Sequence, residues 1–219
     1  MGTKAMSTQT GHTESKSLLL WRYTDLPATI HLLESKSITL LNPEAWDDRN
    51  DAFFLNQYKC RKKAKSVLAL CFSKASEKYH HWKVFADGVD GVRIEFNKEL
   101  LLQDMNSGIK LKCRDVIYKN INEVKPSAQP RRELPFLKRR QFEDDEEYRI
   151  IFVDKHEEIE YKQVNIGLSC IERITLSPWM PKAIVQSVKS VLKKIEGCGD
   201  LDVYHSTLIN NPTWKKQAV

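Results

Sequence analysis

Residues 67–73 read VLALCFS, and residues 76–96 read SEKYHHWKVFADGVDGVRIEF. The first run is apolar, of strand length, and too short for a buried helix. In a strand, Val67, Ala69, Cys71 and Ser73 share one face, and Leu68, Leu70 and Phe72 share the other. Phe72 then anchors the strand in a core while Ser73 sits at its rim. The second run predicts a helix with Ser76 as its cap, Tyr79, Trp82 and Phe85 recurring every three residues, and Gly88 as its stop. VRIEF at 92–96 is the next strand.

Upstream, LLLWRYT at 18–24 predicts a strand that carries Arg22 near its end. DLPATIHLLES follows as a helix that Asp25 or Thr24 can cap, with Pro27 tolerated in its first turn. SITLLNP is a strand stopped by Pro43, AWDDRND at 45–51 an acidic loop, and KCRKKAK at 59–65 a basic helix. Downstream, DVIY (115–118), YRIIFV (148–153), IERITLS (171–177) and LDVYHSTL (201–208) are strands. Residues 119–145 are irregular, broken by Pro126, Pro130 and Pro135, and hold Arg131, Arg132, Lys138, Arg139 and Arg140. A helix follows Pro178 and Pro181, with Ile184, Val188, Val191, Leu192 and Ile195 on one stripe and Gly197 closing it. The pattern predicts an α+β fold of mixed, mostly antiparallel sheets, with about seven strands and three or four helices. Residues 1–16 are polar and aperiodic and read as a disordered tail, leaving a single domain over 17–219.

Composition narrows the function. The chain has 219 residues, 35 Lys and Arg against 29 Asp and Glu, and a formal charge of +6. That surplus weakly favours an anionic partner. No stretch approaches the roughly 18–20 apolar residues of a membrane-spanning helix. The N-terminal MGTKAM lacks the pattern of a signal peptide or a myristoyl site, so no membrane attachment is expected. Five scattered cysteines without a CxxC pair suit a reducing, cytoplasmic setting and give no zinc-ligand spacing. GxGxxG, GxxxxGKS and HExxH are absent from the sequence, which removes their associated chemistries.

Three segments in order carry the site: Arg22 on the first strand, Ser73 closing a strand before a helix, and Glu147 entering a late strand. In EDDEEYRII, Tyr148 and Ile150 form one face and Glu147 and Arg149 the other, so a carboxylate and a guanidinium are presented together. A merely solvated face is the alternative. The RYT…CFS…WxxFADGxxGVxIEF…EYR series resembles a widespread bacterial family of unassigned function over most of residues 18–208. DDRNDAFF stands where that family carries an acidic loop with a proline.

More distantly, the layout resembles ADP-ribosyltransferases. That resemblance implies their fold, NAD as substrate, and a macromolecular acceptor, protein or nucleic acid, with a toxin or phage-defence effector as the setting. It implies Arg22 on the adenosine side of NAD, Ser73 supporting the nicotinamide side, and Glu147 on the ribose whose glycosidic bond breaks. Trp82 or Tyr79 would stack on nicotinamide, and the three polar residues would converge on one cleft. Cys-Phe-Ser replaces the usual Ser-Thr-Ser, and Glu-Glu-Tyr-Arg replaces the usual glutamate motif.

Two other classes compete. One is a non-catalytic nucleotide- or protein-binding module of the same fold. The other is a metal-dependent nuclease using Asp47, Asp48 and Asp51 with Glu147, although Asp90-Gly-Val-Arg-Ile-Glu95-Phe-Asn97 lacks the lysine of the common triad. An acidic loop is more often a solvated, turn-capping one. His80 and His81, on adjacent helix positions, are not expected to face one metal. Cys71 reads as a buried, inert thiol. The basic stretch 131–140 either contacts phosphates or is a solvated loop.

Overall fold

A computed structural model describes residues 18–124 and 130–218, so the 1–16 tail and Pro126 lie outside the described residues. The strands are β1 Leu19–Asp25, β2 Ser37–Leu41, β3 Ser66–Ser73, β4 Gly91–Asn97, β5 Lys112–Asp115, β6 Ile117–Lys119, β7 Leu137–Arg139, β8 Glu147–Asp154, β9 Tyr161–Asn165, β10 Ile171–Leu176 and β11 Val203–His205. The α-helices are α1 Leu26–Ser35, α2 Arg49–Lys62, α3 Tyr79–Phe85, α4 Lys98–Met105, α5 Lys182–Lys194 and α6 Pro212–Lys215. The class is α+β. Among the described residues, every ladder is antiparallel except β10–β11 and the small β6–β7 pair.

β3 is the hub of the larger sheet. On one side it pairs with β8 over its whole length, from Ser66↔Asp154 to Ser73↔Glu147. On the other side two strands share it: β1 meets it at Trp21↔Ser73 and β2 at Leu41↔Ala69. The sheet therefore forks between β1 and β2, and the α1 crossover spans the fork. Asp25 starts α1, its Oδ1 accepting the Ala28 amide at 2.7 Å.

The strand alternation sorts the side chains as expected. Leu68, Leu70, Phe72, Tyr148 and Ile150 join Leu20, Ile94 and Phe96 in the main core, with Leu33 of α1, Met105 of α4 and Leu192 of α5. Val67, Ala69 and Ile151 face a smaller core under Leu55 and Tyr58 of α2 and Phe136. Within α5, Val185 and Leu192 are buried while Ile184 and Val191 are exposed, so the burying stripe is narrower than the sequence suggests.

Several expectations are corrected. The acidic loop is short, because Asp48 caps α2: its Oδ1 accepts the amides of Asn50 and Asp51. Ser76 does not cap α3, whose N-cap is Lys78 without a side-chain hydrogen bond. The turn after α3 is made by Gly88 at φ +104°, a conformation that penalises any Cβ. DVIY is split between β5 and β6 at Val116, whose amide turns to the Glu147 carbonyl. No described helix is long and apolar enough to cross a membrane. All five cysteines are free thiols.

Candidate active site

Ser73 and Glu147 are directly opposed in the β3–β8 ladder, so the fold brings these two together. Their side chains do different things. Ser73 Oγ donates to the Asp145 carbonyl at 2.7 Å and accepts the Ala75 amide at 3.0 Å, which fixes the chain entering β8 against the end of β3. Ser73→Ala leaves both backbone groups without that partner in a buried place. A loss of about 1–3 kcal/mol in urea unfolding is expected; a loss near zero would show that water replaces the hydroxyl.

The face shared by Glu147 and Arg149 is buried, not solvated. Arg149 is 0% exposed, and Glu147 is 6% exposed. Nε of Arg149 donates to Glu147 Oε1 at 2.7 Å, and its two terminal nitrogens grip Asp51 at 2.8 and 2.6 Å. A further bond at 2.9 Å reaches the Pro135 carbonyl, and the guanidinium lies 5.2 Å from the Trp46 ring centroid. Lys138 Nζ bridges Glu147 Oε2 at 3.0 Å and Asp145 Oδ2 at 3.2 Å. Tyr118 Oη accepts the Glu147 amide at 2.8 Å.

Burial alone would raise the Glu147 pKa. The charges of Arg149 and Lys138 outweigh it, with hydrogen bonds from Arg149 and the Cys71 thiol, and hold the group at about 2. Burial works to lower the Lys138 pKa, but Glu147 and Asp145 raise it on balance. Cys71 is pushed well above the ordinary thiol value, first by burial and then by Glu147, as an inert thiol should be. Asp51, with both oxygens taken by Arg149, and Asp48, with one oxygen on two amides, are used by the protein itself. The second Asp48 oxygen is buried without a hydrogen-bond partner among the described residues, while Asp51 and Glu147 would have to give up these bonds to reach a metal.

Arg22 lies elsewhere. It pairs with Ile94, whereas its neighbour Trp21 pairs with both Ser73 and Glu95. Alternation therefore puts Arg22 on the opposite face of the sheet from Ser73 and Glu147. The register directs Arg22 away from the Ser73–Glu147 face, while its guanidinium still interacts with Cys71, which hydrogen-bonds Glu147. Arg22 lines a cavity of about 60 Å³ at the fork, with Thr24, His31, Ser37 and Thr39. Burial lowers its pKa, with Cys71 and then Asp25 opposing the shift.

The aromatic candidates separate as well. Trp82 is 0% exposed. Its Nε1 donates to Glu77 at 2.8 Å, and its ring meets Tyr23 edge-on at 5.3 Å. It has no free face for a ligand in this conformation. Tyr79 is 55% exposed and touches Trp179 edge-on. A larger cavity of about 260 Å³ lies beyond Lys138, between α2 and β7, lined by Asp51, Phe54, Ile121, Leu137 and Arg139 among others.

His80 and His81 do approach one another, with ring centroids 4.5 Å apart. His81 is fully buried, 3.7 Å from Asp145 Oδ1 through Nε2. Burial, then His80 and Lys78, lower its pKa to about 4. The sequence does not expose Asp51, Asp145 and Lys138 as partners of Glu147 and Arg149. One signal was present: an arginine inside an apolar strand requires a buried carboxylate, and Asp51 opens the first helix after an acidic run.

No family model and no curated protein matches the chain, so the resemblance to a bacterial family rests on the quoted motifs. Among solved structures it is similar to the DarT protein of Thermus sp. 2.9 in complex with ADP-ribosylated single-stranded DNA, at 11% identity and a TM-score of 0.44, covering 86% of this chain and 94% of that one. It is likewise similar to DarT in complex with NAD+, at 10% identity and a TM-score of 0.43, covering 86% and 95%.

Proposed function

We propose that the protein is an NAD-dependent ADP-ribosyltransferase acting on a macromolecular acceptor, in the manner of a toxin or phage-defence effector. What supports the reading is the ionised, desolvated Glu147 in register with Ser73. Cleaving the bond between nicotinamide and ribose develops an oxocarbenium ion, and a fixed carboxylate stabilises that charge more in the transition state than in the ground state. Nicotinamide leaves with the bonding electron pair, the acceptor atom bonds the ribose carbon, and the acceptor's proton passes to water.

The two oxygens of Glu147 are not equivalent. Oε1 is fixed by Arg149, itself held at three other points. Oε2 is held by the ammonium of Lys138 and is the oxygen a ribose hydroxyl takes over. Arg22, a guanidinium lining the cavity at the fork, is the group for the dinucleotide's phosphates. Tyr79, with its open ring, suits nicotinamide better than Trp82.

A second reading, a nucleotide-binding module that does not cleave its ligand, is favoured by one observation. Glu147 already has both oxygens occupied, and Arg22 stands on the other sheet face. Incubation of the protein with labelled NAD in a cell lysate separates the two: an enzyme labels a macromolecule and frees nicotinamide, and a module does neither.

The same assay resolves the acceptor class. Arg131, Arg132, Arg139 and Arg140 are all exposed. Replacing all four by Ser should change stability by less than about 1 kcal/mol. If the acceptor is a nucleic acid bound through this stretch, affinity should fall and its dependence on salt should flatten. An unchanged salt slope removes nucleic acid from this stretch.

A further inference from the structure

The segment that leads into β8 also faces the start of α3, and a second constellation of side chains sits there. One ligand atom each from His80, His81 and Asp145 lies within 4.8 Å of the others. We propose that these three residues form a binding site for one divalent transition metal of the zinc class, with a fourth position open to solvent beside His80.

Three observations carry it. First, His81 has no exposed side-chain surface, and among the described residues neither Nδ1 nor Nε2 makes a hydrogen bond of full geometry, although the Asp144 backbone is close enough to raise its pKa. A buried imidazole normally has a partner, and Nε2, which faces the Asp145 carboxylate, is the nitrogen an ion would engage. Second, the spacing suits a metal better than a direct contact. His81 Nε2 and Asp145 Oδ1 stand 3.7 Å apart, too far for a hydrogen bond. Two ligands at about 2.0–2.1 Å from a tetrahedral ion are separated by roughly 3.4 Å. Third, Asp145 divides its work: Oδ2 takes Lys138 at 3.2 Å, which leaves Oδ1 for the ion.

The ligand set selects the metal. Two imidazoles and one carboxylate suit zinc and its neighbours, whereas calcium and magnesium favour all-oxygen sites. His80 is exposed and gives an entry path. Lys78 and Lys138 are the nearby cations that oppose binding; Lys78 is partly occupied by the Asp144 carbonyl at 2.7 Å and carboxylate at 3.8 Å, and Lys138 by Glu147 at 3.0 Å. Adjacent helix positions diverge by about 100°, which would keep two rings apart in the middle of a helix. Here they stand in the first turn of α3, packed edge-to-face, and Asp145 approaches both. A bound ion would tie α3 to the strand that carries Glu147, two residues beyond Asp145.

The test is calorimetric titration of the chelator-treated, reduced protein with zinc chloride alone, alongside His80→Ala, Asp145→Asn and Cys60→Ser. Wild type should bind one equivalent, with a rise in melting temperature. Removing His80 or Asp145 should weaken binding by at least about tenfold, and Cys60→Ser should leave it unchanged. His80 is exposed, so its variant keeps the test decisive even if Asp145→Asn unfolds. No binding by folded wild type, or undiminished binding by His80→Ala, overturns the site. So does loss of binding in Cys60→Ser with retention in His80→Ala.

Discussion

Arg149→Met should destabilise the protein by about 3–5 kcal/mol, because removing one member of a buried ion network strands the others in a medium of low polarity. Asp51 would lose its charged partner on both oxygens, and Glu147 would lose the bond to Oε1. For a chain of 219 residues, each kcal/mol moves the melting temperature by about 2–4 °C, so a drop of roughly 6–20 °C is expected. Adding Asp51→Leu should recover part of the loss. The remaining carboxylate, Glu147, still has Lys138, and an apolar pair replaces the ionic one. A loss below about 1 kcal/mol for the single variant, measured by urea unfolding, would place this network in the class of solvent-screened surface pairs. The result bears on function, since Arg149 is what keeps the candidate carboxylate ionised and immobile.

How much of this was legible in the sequence depended on how locally each element is determined. The main-sheet strands β3, β4, β8 and β10 are set by alternation and apolar runs, and α1 by Asp25 and Pro27 at its start, so a single chain suffices to read them. Helix α4 is not expected, because its cap, Asn97, is also the last residue of strand β4 and the apolar run before it hides the boundary. Strand β9 is an edge strand with Val164 as its only buried side chain, which leaves almost no pattern to detect. In the site, the order of segments placed the Ser73 and Glu147 strands in one sheet system, but their direct pairing is set by the β3–β8 register. The charges around Glu147 were not legible, because Asp51 lies 98 residues from Arg149 and meets it only once α2 packs on the sheet. Arg22 is a different lesson. Its parity against Trp21 was readable within β1, but which face mattered was fixed by the register of β1 on β3, a long-range fact.

Glu147→Gln should lower turnover by roughly 10²–10³, equivalent to about 3–4 kcal/mol of lost transition-state stabilisation, with NAD affinity little changed. The amide keeps the size of the side chain but carries no charge for a developing oxocarbenium ion. It also turns one donor toward a cation, Arg149 or Lys138, so stability falls too, and turnover has to be read well below the variant's melting temperature. Arg22→Ala should act in the opposite way, weakening NAD binding first, since it removes a ground-state contact. The measurement that bears most directly on the proposed activity is nicotinamide release at saturating NAD by wild type and Glu147→Gln, both shown to be folded. The ADP-ribosyltransferase reading predicts release by wild type and at least about a hundredfold less by the variant. Equal release by both, or none by wild type in a lysate supplying protein and nucleic acid acceptors, would contradict it.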